Sequence, residues 1–173
     1  MAGTTHGLER GHRVYGTSRV RLSLVIRAPS RYVYEWCTDY RASDASRFSK
    51  GRPPPPYRVI RVSPRHVLRV RVYPGLGVDG GRDPEIAVDL VRLNPPHSWH
   101  LEQIAETDSS AMDYRVTAMG RARTRLHLLA TERWLTPDHP TKEERRAAVA
   151  AGWARYGAAC EIDYRAGQPA KGP

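Results

Sequence analysis

The sequence predicts an α+β domain, with a curved antiparallel sheet of about six or seven strands around one long C-terminal helix and two short helices after the first strand. Three observations predict it. An alternating strand pattern near the start ends in Ala28-Pro29-Ser30, a long run of strand-like segments with mostly short links fills the middle, and the chain closes on an amphipathic helix. A sheet gripping a helix in this order leaves room between them for a ligand.

Val20, Leu22, Leu24 and Ile26 alternate with Arg19, Arg21, Ser23 and Arg27, interrupted by Val25, which is the period-two signature of a strand with one buried face. Ala28-Pro29 ends it, and Ser30 caps a short helix carrying Tyr32, Val33, Trp36 and Cys37; a second follows from Ala42 to Phe48. Pro53 to Pro56 is extended, because proline lacks the amide donor and restricts its predecessor. Further strands run over Arg58–Ser63, Val67–Tyr73, Glu85–Leu93, Trp99–Glu106, Ala111–Met119 and Arg123–Trp134. Pro64-Arg65-His66, Asn94-Pro95-Pro96, Asp108-Ser109-Ser110 and Gly120-Arg121 separate them, so an antiparallel meander is the economical topology. Alternation places Ile60, Val62, Leu68, Val70, Val72, Ile86, Val88, Leu90, Trp99, Leu101, Met112, Tyr114, Val116, Leu126, Leu128, Ala130 and Trp134 inward, and Arg69 and Arg71 outward.

The closing helix starts at about Thr141, where Pro140 precedes it and Thr141 with Glu144 has the capping-box spacing. Val149, Trp153, Tyr156, Cys160 and Tyr164 recur at three- and four-residue steps as one large, partly aromatic face. Gly152 and Gly157 each cost roughly 1 kcal/mol against alanine in a helix interior, which points to close backbone approach or a bend. Gly167 supplies the stop, giving a rod of roughly 37 Å.

This element order resembles the START/polyketide-cyclase superfamily, also called SRPBCC or helix-grip proteins. Ile26-Arg27-Ala28-Pro29-Ser30, followed by Val33, Trp36 and Asp39, resembles that family's opening of strand, Ala-Pro, and helix with an aromatic and a closing aspartate. The resemblance runs from about Arg19 to Gly167 and implies the helix-grip fold. The family includes lipid and hydrophobic-ligand carriers, aromatase/cyclases and chaperone regulators, without a universal catalytic signature, so it implies fold more strongly than activity.

Composition agrees with one domain. The 173 residues, 40% hydrophobic, suffice for one substantial core; residues 18–167 form it, with mobile tails at 1–17 and 168–173. No apolar run approaches the roughly 20 residues of a membrane span, and Met1 to Thr17 is unlike a signal peptide, so a cytoplasmic location is expected. The net charge of +10 favours anionic partners, nucleic acid or an anionic surface among them, but the arginines spread along strands without a recognition motif, as a solvated basic surface would. Cys37 and Cys160 read as small hydrophobes rather than a disulfide, and no histidine joins them in a ligand pattern, so neither metal nor cofactor is expected. Gly75, Gly77, Gly80 and Gly81 punctuate Pro74 to Pro84, a long link that is either a flexible hairpin loop or a lid at a cavity mouth.

Trp99, Tyr114, Trp134, Val149, Trp153 and Tyr156 are the candidate ligand-binding residues between sheet and helix, since buried indole and phenol groups seek polar partners. Glu132 shares their parity and is expected at the watery, open end of that space; with Tyr114 it is the candidate pair for proton transfer. The leading expectation is a non-catalytic binder or carrier of a hydrophobic or amphipathic small molecule, lipid or polyketide-like. A cyclase/aromatase-like enzyme acting through Glu132 and Tyr114 is the second reading, and a nucleic-acid or anionic-surface binder the third. Ligand identity and oligomeric state stay open.

Overall fold

The computed structural model describes residues 13–40, 57–73 and 85–168. The strands are β1 (Gly16–Ile26), β2 (Tyr57–Ser63), β3 (His66–Tyr73), β4 (Glu85–Asn94), β5 (Ser98–Ile104), β6 (Asp108–Ala118) and β7 (Thr124–Trp134). Helix α1 (Ser30–Thr38) follows β1, and α2 (Lys142–Arg165) closes the described chain. The second short helix, the Pro53–Pro56 segment and the Pro74–Pro84 link lie outside the described residues.

The seven strands form one antiparallel sheet in the order β1-β7-β6-β5-β4-β3-β2. Consecutive strands from β2 to β7 pair as hairpins, and β1 joins the far edge of β7 with Val20 opposite Ala130 and Leu24 opposite Leu126. The first strand thus pairs with the last, so the loop leading into α2 starts beside the first residues of β1. Tyr15 N donates to Trp134 O at 2.8 Å and β1 begins at Gly16, so the expected N-terminal tail gives way to ordered strand before residue 18. At the other end Gln168 is tied back, its amide donating to Asp163 O and its carbonyl accepting from the Tyr32 hydroxyl at 3.2 Å.

Helix α2 forms for the reason its sequence indicates. Thr141 Oγ1 accepts from Glu144 N while the Glu144 carboxylate accepts from Thr141 N at 2.8 Å, a complete capping box. Gly167 adopts a φ of 67° just past the helix, a conformation glycine takes without steric cost. The helix rests on β1 at Gly157, where an added Cβ would fall on the Leu24 side chain. Gly152 has open space around its Cα, so the close-approach reading holds for Gly157 and not for Gly152.

The main core gathers Ile26, Val33, Trp36, Val67, Val91, Leu126 and Cys160 between sheet, α1 and α2, and a smaller cluster of Val20, Leu128 and Ala130 lies under Val149 and Trp153. Parity holds on β1 and β5–β7 and is inverted on β2, β3 and β4. Ile60, Val62, Ile86 and Leu90 are exposed, and Leu68, Val70, Val72 and Val88 share their outer face. Inward instead are Val59 and Val67 with Arg69 and Arg71, and Glu85, Ala87, Asp89, Val91 and Leu93. The reason is charge pairing across strands. Asp89, with no exposed surface, accepts ion pairs from Arg69 at 2.9 Å and Arg71 at 2.8 Å, so each charged residue brings its compensation to the same face. The arginines expected outside on β3 are therefore inside.

Candidate functional site

Between the sheet and α2 lies a cavity of about 410 Å³. Its aromatic wall is a relay of rings from three elements. Trp99 on β5 stacks on Tyr114 of β6 with centroids 4.6 Å apart and planes 8° apart, and Tyr114 stacks on Trp153 of α2 at 5.6 Å and 29°. Tyr156 continues the wall, edge-on to Trp36 of α1 at 4.8 Å. Strand pairing creates the first contact, since Trp99 and Tyr114 are direct cross-strand partners, and the helical step of three between Trp153 and Tyr156 creates the last. Leu101, Met112, Leu128, Ala130 and Val149 add to the apolar lining, with Cys37, Tyr40 and Gly152 at its margin.

The polar lining is Arg69, Glu132, Arg145 and Arg155. Glu132 is 1% exposed, so it stands in the interior and not at a watery end. Arg145 from the first turns of α2 makes this tolerable: its Nε donates to Glu132 Oε2 at 2.6 Å and its Nη2 donates to Oε1, a two-pronged pair, with Ser18 Oγ a further donor at 3.5 Å. The hydrogen bond to Glu132 raises the Arg145 pKa above its ordinary value, against the opposing effect of burial. The guanidinium also lies 5.6 Å from the Trp134 ring centroid. Trp134 thus braces Arg145, with His139 stacked on it, and does not line the cavity with the other five expected residues.

Asp108 sits near Glu132, and its pKa is raised, first by burial and then by the charges of Glu132 and Glu85. Further along the inner face, Arg71 bridges Asp89 and Gln103, the latter at 2.6 Å, and Gln103 Nε2 donates to Asp108 at 3.3 Å. A polar band therefore crosses β3, β4, β5 and β6 beside the aromatic wall. Tyr114 opens on the cavity, its hydroxyl donating to Met112 Sδ at 3.0 Å. Burial pushes its phenol well above the ordinary value. Such a phenol stays protonated and donates a hydrogen bond; it does not act as a base.

Trp99, Tyr114, Val149, Trp153, Tyr156 and Glu132 are thus brought to one space. Arg69, Arg145 and Arg155 were not foreseen. Arg145 carried a signal, lying four residues before Val149 on the stripe that continues to Trp153 and Tyr156. A wider groove of about 960 Å³ lies elsewhere, between α1 and the turns after β2 and β4. Two of its arginines are engaged in surface contacts, Arg31 with Glu35 at 3.1 Å and Arg61 with the Asp39 carbonyl at 3.1 Å. The smaller cavity is the stronger candidate because apolar rings and placed polar groups converge there.

No protein-family model and no curated protein matches the chain. Solved structures do. The Zhui aromatase/cyclase from Streptomyces sp. R1128 aligns with a TM-score of 0.54 at 17% identity, covering 86% of this chain and 90% of that one. A START superfamily protein from Mycobacterium smegmatis aligns with a TM-score of 0.56 at 9% identity, over 84% and 95% of the two chains. Ara h 8.0201 aligns with a TM-score of 0.56 at 6% identity, over 84% and 98%. At these identities the likeness is one of fold, and the chain has the helix-grip fold. Among the described residues, no helix is long and apolar enough to cross a membrane.

Proposed function

We propose that the chain binds an amphipathic small molecule, with a planar or hydrophobic body, in the cavity between the sheet and α2. The observation that carries this reading is the convergence of the Trp99–Tyr114–Trp153 stack, the aliphatic lining and a few charged side chains on one space of about 410 Å³. A largely apolar lining favours an apolar guest, and burial at roughly 25 cal/mol per Å² supplies most of the affinity. The Tyr114 hydroxyl and the arginines of the lining orient its polar end.

The second reading, a cyclase/aromatase-like enzyme, draws on the shared cavity of Glu132 and Tyr114 and on the fold shared with an aromatase/cyclase. The local chemistry favours binding over proton transfer. Glu132 is locked in a two-pronged pair with Arg145, and the Tyr114 phenol is held protonated.

The test is native mass spectrometry and organic extraction of freshly purified protein, then fluorescence titration with the recovered compound or, failing one, with anilinonaphthalene sulfonate. Wild type binds with quenching of tryptophan emission, and Ala130→Trp, which fills the cavity from the sheet side, loses binding by about tenfold or more. Equal binding by the filled variant removes this reading.

A further inference from the structure

The three arginines of the cavity lining are not equivalent. Arg145 is tied to Glu132 by both prongs of its guanidinium, and Arg69 is held by Asp89 at 2.9 Å and lies 4.7 Å from the Tyr40 ring centroid. Arg155, between Trp153 and Tyr156 on α2, makes no hydrogen bond or ion pair among the described residues. Its place in the sequence explains why. The residues three and four positions away along the helix are Ala151, Gly152, Ala158 and Ala159, so its own element offers no carboxylate within reach.

The guanidinium nevertheless stays with the cavity. Arg155 Nη2 lies 4.0 Å from where a Cβ on Gly152 would stand, and Gly152 is itself part of the lining. The side chain therefore runs back along α2 toward its N-terminal end, as long helical side chains do, and carries its charge over the cavity rim. Arg155 is exposed, which puts that charge at the mouth. Arg145 and Arg155 stand ten residues apart, roughly 15 Å along the helix axis, with Val149 and Trp153 between them. An anionic head entering this space meets a neutral ion pair at one end and a guanidinium without a carboxylate at the other.

Resting on the binding reading above, we infer that the guest is an amphipathic carboxylate, its apolar body against the Trp99–Tyr114–Trp153 wall and its carboxylate held by Arg155 at the mouth. The planar guanidinium fork matches the two oxygens of a carboxylate with two parallel N–H donors. One open guanidinium answers one negative charge, whereas a doubly charged phosphate ester would bring a second charge for which the described lining holds no further open cation. The cavity of about 410 Å³ lies in the lower part of the roughly 300–1,000 Å³ range of small-molecule sites, which suits a single-bodied acid and not a two-chain phospholipid. At a solvated rim an ion pair adds little to affinity and is screened by salt, so the apolar body supplies the binding and Arg155 the choice between heads.

Fluorescence titration with pyrenebutyric acid and pyrenebutanol, which share one body and differ in the head, is the test at neutral pH and low ionic strength. Wild type binds the acid about fivefold more tightly than the alcohol, and the gap narrows as salt is added. Arg155→Gln brings the ratio to about one and Arg155→Glu inverts it, both with the wild-type far-ultraviolet spectrum. Equal wild-type affinities for the two probes, or an acid preference that survives Arg155→Gln, overturn this inference and leave the cavity reading standing. Failure of both probes to bind removes the cavity reading, and the carboxylate inference falls with it.

Discussion

Asp108 shows how a single side chain reports the polarity of this interior. Its carboxyl is partly buried and faces Glu132 and Glu85, so its folded pKa lies above the ordinary value, burial being the larger cause. An acid whose pKa rises on folding binds its proton more readily in the native state, so between the two pKa values stability falls as pH rises. The penalty of the ionised form is complete above the folded pKa, fades as pH drops through it, and is absent below the unfolded value. Asp108→Asn therefore stabilises the protein at neutral pH, and its advantage shrinks as the solution is acidified. Urea denaturation of both proteins at neutral and mildly acidic pH checks this, and an advantage that grows on acidification contradicts it. Glu132 shows why such placements are hard to foresee. Its parity was legible on β7, but its partner Arg145 is 13 residues away on α2, and only the pair explains how a carboxylate comes to rest inside.

Elements were the most legible level, because strand alternation, turn residues and the capping box are local. The sequence-predicted ends of β3, β4 and α2 fall within a residue or two of the observed Tyr73, Asn94 and Arg165. What locality cannot supply is the height at which one element crosses another, and the two glycines of α2 illustrate the difference. Both break helix propensity equally on paper. In the fold, Gly157 is pressed on Leu24 and Ile26 of β1, whereas Gly152 has nothing closer than the Arg155 guanidinium at 4.0 Å. Gly152→Ala should therefore stabilise by up to about 1 kcal/mol, the ordinary helix-propensity gain. Gly157→Ala should lose about 1–3 kcal/mol, since lifting α2 from β1 outweighs that gain. Thermal unfolding followed at the helical circular-dichroism band distinguishes them, and equal shifts of the same sign would mean that α2 is not seated on β1 at Gly157.

At the scale of the molecule, the sheet divides into a conventional half and an inverted one. On β1 and β5–β7 one face carries most of the aliphatic residues, Val25 and Ile104 being exposed on the other, so alternation identified the interior. On β3 and β4 both faces alternate with conviction, Leu68, Val70 and Val72 against Val67, Arg69 and Arg71, and hydrophobicity alone selects the wrong one. The decision belongs to pairs of strands, because Arg69 and Arg71 go inward only if Asp89 on β4 goes with them. This inversion gives the candidate cavity one charged flank, Arg69, while leaving an aliphatic face to solvent. A buried ion cluster is poor evidence of stability, because desolvating its charges costs about what their attraction returns, yet removing one member strands the others. Asp89→Ala should therefore cost about 3–5 kcal/mol, leaving two half-buried guanidiniums without their shared carboxylate. Replacing the whole cluster, Arg69→Met with Arg71→Met and Asp89→Leu, should keep stability within about 1–2 kcal/mol of wild type. Urea midpoints of the single and triple variants decide it. A triple variant as unstable as Asp89→Ala would mean that the cluster holds β3 on β4, and a stable triple variant with weakened affinity for anionic probes would mean that the inversion serves the cavity.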